Sequence, residues 1–184
     1  MQTSGLGLVE IADSECLCTE LYLDSGGVRT IGIGSTVSEV HDIGSFPWGT
    51  TWTIDQCVNV YANSMAKYEN AVNRGLTIAV KQHQFDALVS FIYNVGVGGT
   101  KSTLFKRINA GMTGDNIKNA FLMWVNDNGK KVQGLVNRRL REWGVYSTGE
   151  YPANGCVNHC PVDKKTHKPI YRLGKRINIE EYFK

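Results

Sequence analysis

Glu15, Asp24 and Thr30 lie close together near the start of a chain of 184 residues, and their types suit acid–base chemistry. An apolar cluster (Leu6, Leu8, Val9, Ile11, Ala12) follows the capping candidates Thr3 and Ser4, which predicts a short first helix ending near Glu15. A carboxyl group in the last turn of a helix meets the negative end of the macrodipole, which disfavours its charged form. Partial burial acts in the same direction. Such a group keeps its proton and can donate it, as a general acid must. Asp24 falls on a glycine-rich hairpin, where a carboxylate faces solvent and stays ionised. Thr30, on the returning strand, is placed to hold a water beside it. Two carboxyl groups in different environments across a groove are the equipment for breaking a glycosidic bond. Alone, the pair says little, because Glu/Asp pairs at similar spacing are common on surfaces.

The elements that must hold these residues are legible around them. Residues 21–34 have strand character on both sides of Ser25-Gly26-Gly27, which predicts a hairpin. Gly32 and Gly34 alternate with Ile31 and Ile33, so one face admits a close neighbour while the isoleucines enter a core. A loop carrying Pro47, Trp48, Gly49 and Trp52 follows, with Thr53 or Asp55 as cap for the next element. Apolar spacing by threes and fours predicts one helix over 55–76 and a second over 80–95, stopped by Gly96, Gly98 and Gly99. Shorter helices are expected over 103–109, 117–124 and 135–143. Past Gly149 the texture changes: Pro152, Pro161 and Pro169 lie there, and residues 170–179 resemble two short strands around Gly174. Trp124, Trp143, Phe85 and Phe91 read as packing residues of the helical part.

Composition narrows the function classes. Residues 1–60 hold one basic residue, Arg29, against eight acidic ones, whereas nineteen of the twenty Lys and Arg lie in residues 61–184. A polyanionic partner of the later part, such as an anionic envelope polymer, fits that split. No apolar run reaches the roughly 20 residues needed to cross a bilayer. Residues 1–13 lack a basic region and carry Glu10 and Asp13, which argues against a secretory signal. Of five cysteines, Cys16, Cys18 and Cys57 read as small buried residues, and Cys156 and Cys160 as the pair placed for a bridge. Cys156, His159, Cys160 and His167 are compactly spaced, unlike a standard zinc site, and no metal is assigned to them.

Beyond the triad, ordered blocks carry a family resemblance. Glu15-(x8)-Asp24-(x5)-Thr30-Ile-Gly-Ile-Gly34 resembles the signature of the phage-type lysozymes, glycoside hydrolase family 24. The resemblance continues through 85–98 (Phe85, Asn94, Gly96), 102–111 (Ser102, Asn109, Gly111), Trp124, and 134–139 followed by Glu142, covering about residues 5–150. It implies an α+β, lysozyme-like fold. Its parts would be a small N-terminal lobe with a short antiparallel sheet (about 1–60), a long connecting helix, and a helical C-terminal lobe (about 61–150), with a cleft between lobes. Residues 151–184 form a basic, proline-containing C-terminal extension beyond the catalytic domain of 1–150.

The same resemblance implies that Glu15 protonates the leaving sugar oxygen while Asp24 and Thr30 orient the attacking water. Inversion would follow, with carboxyl groups about 6.5–9.5 Å apart. Asn137 and Arg138 match positions that bind substrate. Three departures stand out: Cys16 where Gly is frequent, Ser35 where His is frequent, and Glu20 where a basic residue is usual. The expectation is therefore a bacteriolytic muramidase that cuts the β-1,4 bond between N-acetylmuramic acid and N-acetylglucosamine in peptidoglycan. It would be monomeric, with no cofactor, no nucleic-acid partner and no membrane insertion, its basic part associating with the anionic envelope. It would gather in the host cytoplasm and reach the wall through a holin-type lesion. A lytic transglycosylase on the same bond and a non-catalytic wall-binding module are the alternatives. A metal-dependent amidase or peptidase built on the late Cys/His cluster is a more distant one.

Overall fold

A computed structural model describes residues 1–183; Lys184, the end of the extension, lies outside the described residues. The chain divides into two units. One comprises Met1–Gly7 and Ala66–Pro152, the other Leu8–Met65 and the chain from Ala153 onward. The expected mixture of helices and short antiparallel strand pairs is present.

The second unit carries the candidate site. Helix α1 (Gly5–Glu15) is followed by the antiparallel pair β1 (Cys18–Leu23) and β2 (Arg29–Gly32), with Tyr22 opposite Thr30 and Leu23 opposite Arg29. Leu21, Ile31 and Ile43 form a core on one side of this hairpin, with Val40, Phe46 and Trp52 packed against it. Helix α2 (Ile54–Ser64) begins at a capping box. The Thr53 hydroxyl accepts from the Gln56 N–H, and the Gln56 amide oxygen accepts from the Thr53 N–H. Gly32 is where α2 meets the hairpin: a Cβ there would lie 3.3 Å from Cys57 Cβ, at φ +70°. The glycine alternation therefore does admit a close neighbour, and that neighbour is α2.

The other unit is helical: α3 (Ala66–Gly75), α4 (Gln82–Val95), α5 (Thr103–Asn109), α6 (Asp115–Leu122) and α7 (Gln133–Thr148). Helix α4 is buried along Phe85–Ile92 and packs on α3 and α7. Its core includes Phe91, edge-on to both Phe121 and Trp124, although Trp124 remains 37% exposed. Arg139 is fully buried and pairs with buried Glu142 at 2.8 Å. Ser90 and Arg138 also bond to Glu142, and Asn94 accepts from Arg139. Burial pushes the Glu142 carboxyl upward, and Arg139 and Arg138 oppose that push.

Several elements differ from the sequence reading. The stretch 55–76 is two helices meeting at Met65, not one. The Ser64 hydroxyl donates to the Tyr61 carbonyl at 2.7 Å, and the Met65 N–H bonds three residues back to Ala62, closing α2 with a tight turn. Helix α7 runs beyond 143 to Thr148, because Val145 and Tyr146 extend its buried stripe as far as the left-handed cap at Gly149. A small hairpin, β3 (Asn126–Asp127) and β4 (Lys130–Lys131), turns on Asn128-Gly129, both at positive φ. The extension holds one hairpin of different composition from the one expected. Strand β5 (Cys156–His159) pairs with β6 (Lys175–Asn178), while Tyr171–Leu173 is a 3-10 turn rather than a strand.

Replacing Arg139 by Met should lower stability by about 3–5 kcal/mol, because it removes the closest cation paired with a buried carboxylate. Thermal unfolding checks this; an unchanged midpoint would mean that Glu142 is neutral or finds other partners.

Candidate active site

Glu15 is the last residue of α1 and is half-buried. The helix stops because Cys16 takes the left-handed conformation, φ 66°, unusual for a residue with a side chain. That conformation explains why glycine suits this position. Here the strain is offset by three ties to the extension: Cys16 is disulfide-bonded to Cys160, the Leu17 N–H donates to the Asn158 carbonyl, and the Cys160 N–H donates to the Leu17 carbonyl. The bridge corrects the pairing expected from spacing. Cys16 is not a lone buried residue, and Cys156, four residues from Cys160, is a half-exposed free thiol. Proximity in sequence misleads because β5 runs straight through 156–159 and carries the two sulfurs apart.

The extension also braces the body of α1. The Ala153 N–H donates to the Glu10 carboxylate at 2.9 Å, and Arg176 pairs with Asp13. Glu20 on β1 meets Lys164 at 2.6 Å, so its charge is answered by the extension. At the far end of β1 the Leu23 N–H donates to the His167 carbonyl. The His167 ring stacks on Trp48 at 3.9 Å, and the Arg29 guanidinium lies over the Trp48 ring at 4.2 Å.

Asp24 follows β1 directly. Its Oδ1 accepts from the N–H groups of Gly26 and Val28, each at 2.8 Å, so the hairpin turn itself fixes the carboxylate and leaves Oδ2 unused by the turn. Thr30 is buried on β2 and donates to the Val28 carbonyl at 3.0 Å, which leaves its oxygen lone pairs as acceptors. Ser35 is buried and exchanges backbone bonds with Ile31.

Glu15, Asp24 and Thr30 share one cavity of about 510 Å3, lined also by Cys16, Tyr22 and Gly34 among others. Tyr22 is buried, and burial holds its phenol far above the usual range, with Cys18, Tyr171, Glu15 and Asp24 adding to the effect. Its hydroxyl is therefore a donor in the neutral range. The thiols of Cys18 and Cys57 are pushed up to about 12, chiefly by burial, and both behave as the small core residues expected.

Other candidates lie elsewhere. Trp52 belongs to the hairpin core and Trp48 to the Arg29–His167 stack. Asn137 and Arg138 are on α7 of the helical unit: Asn137 accepts from Gln133, and Arg138 pairs with Glu142 at 3.3 Å. The late Cys/His residues go to separate partners, with Cys160 in the disulfide, His159 against Thr19 at 3.1 Å and His167 on Trp48. Sequence reasoning missed two residues that line the cavity from the extension, Asn158 and Tyr171.

A helix-terminal Glu, a turn-held Asp and a strand Thr line one cavity of an α+β chain, the arrangement expected of a lysozyme-like fold. Comparison with known proteins agrees. The phage lysozyme family model matches residues 12–142. The endolysin of Bacillus phage B103 is 32% identical over 181 residues, covering 97% of this chain and 66% of that protein. That of Bacillus phage PZA is 39% identical over 152 residues, covering 81% and 56%. The chain therefore spans less than two thirds of the length of these relatives. The solved endolysin of Escherichia coli O157:H7 phage FAHEc1 superposes with a TM-score of 0.72 at 34% identity, covering 83% of this chain and 97% of that one. The chain belongs to the phage lysozyme family.

Loss of the bridge should loosen the wall beside Glu15. Cys160→Ser should cost about 2–4 kcal/mol, since the bond closes a very long loop. Thermal melts should show wild type under reducing agent matching the variant; equal midpoints for oxidised and reduced wild type would show that the bond does not stabilise the fold.

Proposed function

We propose that this chain is an endolysin of the muramidase type, hydrolysing the β-1,4 bond between N-acetylmuramic acid and N-acetylglucosamine in peptidoglycan. The observation that carries this reading is the convergence of Glu15, Asp24 and Thr30 on one cavity. Glu15 gives its proton to the leaving glycosidic oxygen. Asp24, held through Oδ1 by the turn, takes the proton of a water that Thr30 helps to orient, and that water attacks the anomeric carbon from the opposite face. Inversion follows. The Tyr22 hydroxyl is a further donor in the same cavity. Asn137 and Arg138 are proposed to bind substrate, Arg138 through a guanidinium suited to carboxylate or peptide groups.

The substrate is a glycan strand and the protein works as a monomer. No helix among the described residues is long and apolar enough to cross a membrane. The protein is made in the host cytoplasm and meets the wall after a holin-type lesion opens the membrane. A disulfide at Cys16–Cys160 suits work in an oxidising compartment beyond the cytoplasm. Two basic residues of the extension, Lys164 and Arg176, are engaged by Glu20 and Asp13. Lys165, Lys168, Arg172 and Lys175 are exposed and supply its attraction to an anionic envelope, which weakens as salt rises.

Glu15→Gln should reduce clearing of a cell-wall suspension by at least about 100-fold while the protein still sediments with the walls. A variant that lyses at the wild-type rate would remove Glu15 from the mechanism. Loss of sedimentation together with lysis would mean that the side chain serves binding instead. Mass spectrometry of the digested wall should find reducing sugar ends; 1,6-anhydro ends would establish the transglycosylase instead.

A further inference from the structure

The extension reaches the cavity with a side chain that the three-residue mechanism does not use. Tyr171 lines the same cavity as Glu15 and Asp24, yet the residue is 65% exposed. A tyrosine left that exposed contributes little burial to the fold. Exposed aromatic residues are ordinary when scattered, so position and bracing decide the matter here.

The bracing is extensive. Tyr171 opens a 3-10 turn whose preceding residue, Ile170, donates its N–H to the Pro161 carbonyl at 2.9 Å, and Val162 bridges Pro169 in antiparallel fashion. Pro161 follows Cys160, the residue bonded to Cys16. Behind the turn, the Gly174 backbone lies so close to the Asn158 side-chain amide that a Cβ at 174 would overlap it. The Asn158 backbone carbonyl in turn accepts from the Leu17 N–H, two residues beyond Glu15, its side-chain amide donates to Cys160 Sγ, and the residue itself lines the cavity. The turn is thus fixed to the catalytic helix end through both of its flanks.

We infer that Tyr171 is a sugar-stacking platform, with its ring packing on the apolar C–H face of an N-acetylhexosamine held beside Glu15 and Asp24, and with Asn158 offering its amide to the same sugar. A pyranose presents one face of ring C–H bonds and an edge of hydroxyls. A flat, exposed ring with a polar tip, next to an amide, matches both surfaces. Partial burial, with Cys18, Glu15 and Asp24 adding to it, also holds the Tyr171 phenol above its usual range. The extension would then set substrate affinity and not only tether the chain to the envelope. This inference rests on the muramidase reading, and makes Tyr171 a specificity-determining residue within it.

Steady-state kinetics on soluble, un-cross-linked glycan strands separates the possibilities, using full-length Tyr171→Phe, Tyr171→Leu and Gly174→Ala with thermal melts alongside. Tyr171→Phe should keep KM within about twofold. Tyr171→Leu should raise KM about 3–10-fold at nearly constant kcat, the size expected from losing one aromatic packing contact, with an unchanged melting point. Gly174→Ala should raise KM as well, by displacing the turn. If Tyr171→Leu has wild-type KM while Glu15→Gln is inactive, the platform is wrong and the muramidase reading stands. If Tyr171→Leu loses stability in step with activity, the ring is structural and the inference is overturned. Should Glu15→Gln retain full activity, the underlying reading fails instead.

Discussion

Glu15 ends a helix, and a helix end is a poor place to fix a reacting group unless the chain beyond it is also fixed. Here the next residue is driven into the left-handed region with a side chain on it, and the residue after that has both backbone groups bonded to the extension. The Cys16–Cys160 bond and the paired hydrogen bonds of Leu17 form one junction between segments far apart in sequence. That junction fixes the chain immediately beyond Glu15. Asp24 needs no such help, because its own turn donates two N–H groups to it. One acid is positioned by tertiary contacts and the other by local ones.

This division explains why the extension belongs with the elements that carry Glu15 and Asp24. It answers charges on α1 and β1 (Asp13, Glu20), fills an N–H-shaped demand at Glu10, and stacks His167 on Trp48. Its hairpin is short, with buried Val157 as the central apolar anchor, and a two-stranded piece of that size is marginal alone. Docking stabilises the extension, and the extension holds the helix end. Basic residues that look in composition like a uniform patch are therefore split between internal ion pairs and an exposed remainder.

Much of this arrangement can be read in the residues. The end of α1 at Glu15, the hairpin turn after Asp24 and the close approach at Gly32 follow from local pattern, since caps, glycine turns and apolar spacing act over a few residues. The break at Met65 is less legible, because a serine hydroxyl bonding backward decides it within an apolar pattern that continues across it. The true disulfide is not legible at all. Cys16 and Cys160 are 144 residues apart, and only the docked extension brings them together. Asn158 and Tyr171 escaped for the same reason: nothing in their neighbourhood in sequence marks them, and their place on the cavity is a product of tertiary packing.

The central claim is that one carboxyl group supplies a proton while another directs water to the far face of the same sugar. The stereochemistry of the first product tests it directly. NMR of the nascent reducing end, recorded during digestion of glycan strands before mutarotation, should show the α-anomer from the β-linked substrate. A β-anomer would require a covalent intermediate and a double displacement, and would contradict the roles given to Asp24 and Thr30.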